Sequence, residues 1–189
     1  CTSTIMWKMI GKDMAQAPKW VNGAMLSCIL SDTLEFRSPT TTQEDKAIAY
    51  SLAEDLGIDI ADYAAKMFEA KSDVSAFSDA ELLRMDSKEY AVDGTQFRVS
   101  VLETTAPQIV LDRKDSLMTS MVDVAAEDGA DQVLLFVVDI LNEEATLLVP
   151  NDTVKGVAEK SFGVHVSGDS VVLPGVVSRK KQIIPNLKV

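Results

Sequence analysis

The chain has 189 residues, 47% of them hydrophobic, enough for one large domain or two small ones around a true buried core. It carries 29 acidic against 18 basic residues, a formal net charge of −11, which argues against a general nucleic-acid surface or docking on an anionic membrane, since both need broad positive charge. Its apolar runs are short and broken by charge, well under the ~18 residues of a membrane span.

Residues 1 to about 70 read as helical. Ile5, Met6, Met9 and Ile10 recur at helical spacing, and after Pro18 the set Trp20, Val21, Ala24, Met25, Cys28 and Ile29 makes a second apolar stripe. Thr41 and Glu44 have the spacing of a capping box, opening a helix that runs through Ile48, Leu52 and Leu56 and stops at Gly57. A further helix is expected over 59–70. The stretch 71–78 is small, polar and aperiodic and reads as a linker, after which Ser78 and Glu81 repeat the capping-box pattern.

Beyond the linker the texture becomes mixed α and β. Asp93-Gly94 is a hairpin-turn signal, and Phe97, Val99 and Val101 alternate with Gln96, Arg98 and Ser100 as in a half-buried strand. Residues 107–127 read as one long helix ended by Gly129. The continuous apolar run 133–140 predicts a central strand, turned at Asn142-Glu143-Glu144 into a partner over 145–149. A helix is expected over 152–161, then short strands at 164–166 and 171–173 about a Ser167-Gly168-Asp169 turn.

From Ser170 to Val189 there is no acidic residue, yet Arg179, Lys180, Lys181 and Lys188 all lie there. Such a cationic strip in an acidic chain points to an anionic ligand, because Arg and Lys offer charge-assisted hydrogen bonds to phosphate. The alternative is a strand edge guarded by lysines against aggregation. In an ideal strand Arg179 and Lys180 would face opposite sides, so both reach one anion only if the strand ends, bends or bulges there. Asp32, in a polar turn just past an apolar helix, is either a cap or an oxygen ligand for a hard cation such as Mg or Mn. Lys88, entering the first hairpin strand, is by itself an ordinary surface lysine. The lone His165 has no thiol or carboxylate at ligand spacing and reads as structural, and Asp139 as a turn-stabilising residue. Cys1 and Cys28 lie in no metal or redox spacing and read as reduced, packed thiols of a cytoplasmic protein. No phosphate-cradling loop, nucleophile elbow or Ser/His/Asp arrangement is present, and no catalytic side chain is assigned.

Three strings, Cys1-Thr2-Ser3-Thr4-Ile5, Ser31-Asp32-Thr33-Leu34 with Phe36-Arg37-Ser38-Pro39-Thr40, and Gly175-Val176-Val177-Ser178-Arg179-Lys180-Lys181-Gln182, resemble the manganese-dependent (family II) inorganic pyrophosphatases of the DHH phosphoesterase superfamily. The Asp86-Ser87-Lys88-Glu89 string between them fits in order and spacing, and the resemblance extends over essentially the whole chain. It implies an α/β fold: residues 1–70 as the helical C-terminal part of a DHH domain, 71–78 as a hinge linker, and 79–189 as a mixed-sheet DHHA2 substrate-binding domain. By match, Asp32 would be a metal ligand, and Lys88, Arg179 and Lys180 would hold pyrophosphate. The implied cofactor is Mn2+, or Mg2+ or Co2+, two or more ions per site. The implied partners are pyrophosphate and a second copy in a homodimer, with no nucleic acid and no membrane. The family's early His-x-x-x-Asp-x-Asp motif, its middle Asp and its Asp-His-His motif lie upstream of the string matching Cys1, and none is present here. The chain is therefore expected to be the C-terminal part of a longer protein and inactive alone, while the full-length parent hydrolyses pyrophosphate to two phosphates with metal-activated water. The rival readings are an exopolyphosphatase of the same superfamily and a non-catalytic anion-binding module.

Overall fold

A computed structural model describes residues 1–189 apart from the side chain of Ala15. The chain divides into two compact units, Cys1–Lys71 and Ser72–Val189. Among the described residues, no helix is long and apolar enough to cross a membrane.

The first unit is helical. It holds α1 (Thr2–Ile10), a 3-10 segment (Gly11–Gln16), α2 (Lys19–Thr33), α3 (Gln43–Leu56) and nearly all of α4 (Ile60–Ser72). Its core is the face of α2 that carries Met25, Leu26, Ile29 and Leu30, with Ile48, Ala49, Leu52 and Ala53 of α3 and Ala64 and Phe68 of α4, all buried. Gly57, with φ 67°, ends α3 in a left-handed turn that only a residue without Cβ adopts freely. The apolar periodicity located the helices. Ile5, Met6, Met9 and Ile10 of α1 are exposed, as is Trp20 of α2, while α1 buries Ser3 and Thr4 instead. Cys28 is exposed rather than packed, and Cys1 is half-buried.

The reason α1 buries hydroxyls is Asp45. This fully buried carboxylate accepts from Thr4 Oγ1 at 2.5 Å, and from Thr42 Oγ1 at 2.7 Å and Thr42 N at 2.8 Å. The Cys1 amino group lies 3.0 Å from its Oδ1. The capping box at the start of α3 is therefore Thr42 with Asp45, one residue later than Thr41 with Glu44. Glu44 turns outward to pair with Lys8 at 2.7 Å.

The second unit is a five-stranded mixed sheet with helices against it. β1 (Ser87–Val92) and β2 (Thr95–Thr104) form a hairpin over Asp93 and Gly94, both at positive φ as a type I′ turn requires. β2 then runs parallel to β3 (Gln132–Asp139), and β4 (Glu144–Leu148) and β5 (Ser170–Pro174) continue the sheet antiparallel, so spatial order follows sequence order. The central β3 is buried from Val133 to Asp139, which explains its unbroken apolar run.

One face carries Leu102, Val133, Leu135, Val137 and Leu148. It packs against Leu82 and Leu83 of α5 (Asp79–Met85), Val110 of α6 (Pro107–Leu111), and Leu117, Met121 and Val124 of α7 (Lys114–Asp128). The other face meets α8 (Asp152–Phe162), where Phe136 and Phe162 contact edge-on with ring centroids 6.0 Å apart. The helix expected over 107–127 is broken at 112–113. Arg113 leaves helical geometry there, and its guanidinium donates to Phe77 O at 2.9 Å and Asp79 Oδ1 at 2.6 Å. Residues 164–166 form no strand; Val166 is held instead by its N–H donating to Glu159 Oε1. Within 73–78, Val74 is buried in the second unit's core, and Ser78 caps α5 with Glu81 as its spacing predicts.

Candidate functional site

The cationic strip begins where β5 ends. Pro174 closes the strand and Gly175, at φ 75°, reverses the chain in a conformation that strains any L side chain. Val177 and Ser178 are then buried. Ser178 caps the next turn, its Oγ accepting the Lys181 N–H at 3.4 Å, and Arg179–Ile183 wind as a single π-helical turn pinned by the buried Ile183. Single π-helical turns are frequent at functional sites. The condition set by the sequence, that the strand must stop before Arg179 and Lys180 can serve one anion, is met by this turn.

Arg179 points to the edge of the sheet. Its Nη1 donates to Asp86 O at 2.8 Å and, at a longer 3.4 Å, to Val99 O. Its Nη2 donates to Asp86 Oδ1 at 2.7 Å. The Arg179 side chain is only 14% exposed, against 56% for that of Asp86.

Lys88 stands opposite Val99 in the β1–β2 ladder, two residues after Asp86, which lies between α5 and β1. The Arg179 guanidinium thus binds the backbone on which Lys88 is mounted. Lys88 is exposed, and Lys180, next in the turn after Arg179, is exposed too. Arg179 is thus bound to the residue two before Lys88, and Lys180 follows Arg179 in the turn.

Asp32 sits in the first unit, in the last turn of α2, with its side chain 58% exposed. Immediately after α2 the chain makes an unusual move: Leu34, Glu35 and Phe36 all take positive φ, at 50°, 49° and 70°. Side chains rarely adopt that region, and three in succession must be held by their surroundings. Thr33 supplies part of the hold. Its Oγ1 donates to Ile29 O at 2.7 Å and accepts the Phe36 N–H at 3.3 Å.

Among the described residues, no three His, Cys, Asp or Glu side chains converge. A hard divalent cation needs several oxygen ligands at once, so Asp32 is one ligand at most, and the residues present do not by themselves fit a manganese ion. His165 is 86% exposed, with Nδ1 3.4 Å from Glu159. Asp139 stabilises its turn, accepting from Leu141 N, Asn142 N and Asn142 Nδ2.

Three residues of structural weight went unread in the sequence: Asp45, Asp86 and Gln182. Gln182 is the hub of the loop, its Oε1 accepting the N–H of both Val177 and Ser178 at 2.9 Å while Nε2 donates to Gly175 O. The signals that existed for two of them were their places in the strings that carry the resemblance, Asp86 two residues before Lys88 and Gln182 directly after Lys181.

The family model for the DHHA2 domain matches residues 65–189. Over 188 residues the chain is 38% identical to a protein of Lactobacillus johnsonii and 37% identical to one of Bacillus subtilis, both described as manganese-dependent inorganic pyrophosphatases; each match covers 99% of this chain and 60% of the relative. It is 42% identical to a similarly described protein of Deinococcus radiodurans, over all of this chain and 62% of that one. A crystal structure described as a family II inorganic pyrophosphatase of Methanococcus jannaschii superposes with a TM-score of 0.83 at 32% identity, covering 98% of this chain and 62% of that chain. The chain thus spans about three fifths of the length of these relatives.

Proposed function

The chain belongs to the DHHA2 domain family, and from that membership we propose that its residues serve an inorganic pyrophosphatase, Ser72–Val189 acting as the unit that holds pyrophosphate and Cys1–Lys71 as the C-terminal part of a DHH domain. The observation that carries this reading is the Arg179 guanidinium bound to the start of β1 beside Lys88, with Lys180 exposed at the next position. Arg179 and Lys180 in this turn, with Lys88 two residues from Asp86, in a chain of net charge −11, suit a compact ligand of high negative charge. Pyrophosphate, named in the descriptions of the relatives, has that character.

The work of each residue follows from its chemistry. Arg179 offers a planar fork suited to two phosphate oxygens, while Lys88 and Lys180 bring mobile point charges. Together they orient the phosphoanhydride and neutralise oxygens as negative charge moves toward the leaving phosphate. The relatives' descriptions name manganese. For this chain, Asp32 is proposed to give one carboxylate ligand beside others that these residues do not provide, and no turnover is expected of residues 1–189 alone.

Calorimetric titration of the chain with pyrophosphate, inorganic phosphate and long polyphosphate, with and without Mn2+, tests the reading. Pyrophosphate should bind, and Arg179→Ala should abolish the heat. A preference for long polyphosphate would move the assignment to exopolyphosphatase. Equal binding by the parent chain and Arg179→Ala would refute the site. Mn2+-dependent release of phosphate by residues 1–189 alone would overturn the expectation of inactivity.

A further inference from the structure

Arg179 carries five N–H donors, and the structure shows where three of them go. Nη1 gives both hydrogens, to Asp86 O and Val99 O, and Nη2 gives one to Asp86 Oδ1. Asp86 therefore holds the end of the guanidinium with two acceptors of its own, one from the backbone and one from the side chain. The Nε–H and the second Nη2 hydrogen, which lie parallel along the other edge, make no bond among the described residues. That edge is the one that matches two oxygens of a phosphate.

We propose that Asp86 is a positioning residue for Arg179: its carboxylate and carbonyl fix the end of the guanidinium so that the Nε/Nη2 edge is presented, pre-oriented, to pyrophosphate. The proposal rests on the assignment of this corner of the second unit to pyrophosphate. Without the carboxylate, the long Arg side chain regains rotamer freedom that binding must then remove. Asp86 is also placed to do this without disturbing the sheet, because its carbonyl still accepts Val101 N–H at 2.9 Å whatever its side chain is.

The sign of the effect separates this role from simple electrostatics. Asp86 is a negative charge beside an anion site, so removing it should tighten pyrophosphate binding if charge alone matters. If Asp86 orients Arg179, removing it should weaken binding. The experiment measures the pyrophosphate dissociation constant of the whole chain by calorimetry for the parent, Asp86→Asn, Asp86→Ala, Arg179→Ala and the Asp86→Ala/Arg179→Ala pair, with the Arg179 Nε–H signal followed by heteronuclear NMR. We expect Asp86→Ala to weaken binding about tenfold and Asp86→Asn, which keeps an acceptor, about threefold, with no further loss in the Arg179→Ala background. The Nε–H signal should broaden in Asp86→Ala at unchanged melting temperature. Tighter or unchanged binding by Asp86→Ala overturns the proposal, as does an equal loss with Arg179 already removed. A parent chain that binds no pyrophosphate fails at the first titration, a failure of the site assignment itself that takes this proposal with it. The NMR comparison still reports whether Asp86 orders Arg179.

Discussion

Gln182 reaches back across its own turn to Ser178, accepting the Ser178 N–H at 2.9 Å through Oε1 while its backbone N–H donates to Ser178 O at the same distance. The two residues lock the mouth of the π-helical turn. Arg179 and Lys180 lie inside that lock, so the backbone that carries them is held by a neutral side chain.

Replacing Gln182 by Ala removes the acceptor for two N–H groups, those of Val177 and Ser178, in a buried stretch. An unpaired buried donor costs about 1–3 kcal/mol. Urea unfolding of Gln182→Ala should show a loss in that range, accompanied by weaker pyrophosphate binding. Gln182→Glu keeps the acceptor, loses the donor to Gly175 O, and should lose less stability. Equal stability of Gln182→Ala and the parent would mean that the loop is held elsewhere.

Arg179→Lys preserves the charge and discards the fork. A single ammonium cannot bind Asp86 O, Asp86 Oδ1 and a phosphate with the geometry that the guanidinium allows. Pyrophosphate affinity, and catalytic efficiency in the full-length protein, should fall by more than about tenfold, or roughly 1.4 kcal/mol. Near-parental values would remove Arg179 from the binding role.

The sequence announced the elements well where local chemistry decides them. The Asp93-Gly94 turn, the apolar run of β3 and the Ser78–Glu81 cap all rest on interactions within a few residues. It was silent where a distant partner decides. Thr4 turns inward to Asp45, 41 residues on in sequence, a contact that no local spacing announces. The long helix breaks at Arg113 because that side chain is needed at Phe77 and Asp79. The site divides the same way. The cations Arg179 and Lys180 stood out against an acidic chain, whereas Asp86, 93 residues away from Arg179 in sequence, could be joined to it only by the fold.

Lys180 is exposed. Lys180→Ala should leave the melting temperature unchanged, as surface substitutions usually shift stability by less than about 0.5 kcal/mol. It should still weaken pyrophosphate binding and flatten the dependence of affinity on salt, because one screened charge has gone. A Lys180→Ala chain with the parental salt dependence would place that side chain outside the anion's reach.

Asp45 gives the first unit a dependence on acid. Burial would raise its pKa, but hydrogen bonds from the Thr4 and Thr42 hydroxyls and from the Thr42 backbone outweigh it and hold the carboxyl well below its ordinary range. A carboxylate with a depressed folded-state pKa contributes stability that is fully present from about a unit above its unfolded value, near 3.8. That contribution is lost progressively as pH falls below about 5, since the unfolded chain then takes up the proton first. The first unit should therefore weaken steeply between about pH 5 and pH 2. Asp45→Asn cannot accept at both carboxyl oxygens, so it should be less stable at neutral pH by about 2 kcal/mol, in line with hydrogen bonds to a charged group, and its stability should vary less with acid. Thermal melts of the parent and Asp45→Asn across that range measure both effects; parallel curves would show that the acid sensitivity belongs to other carboxylates, not to the one that draws Thr4 and Thr42 together.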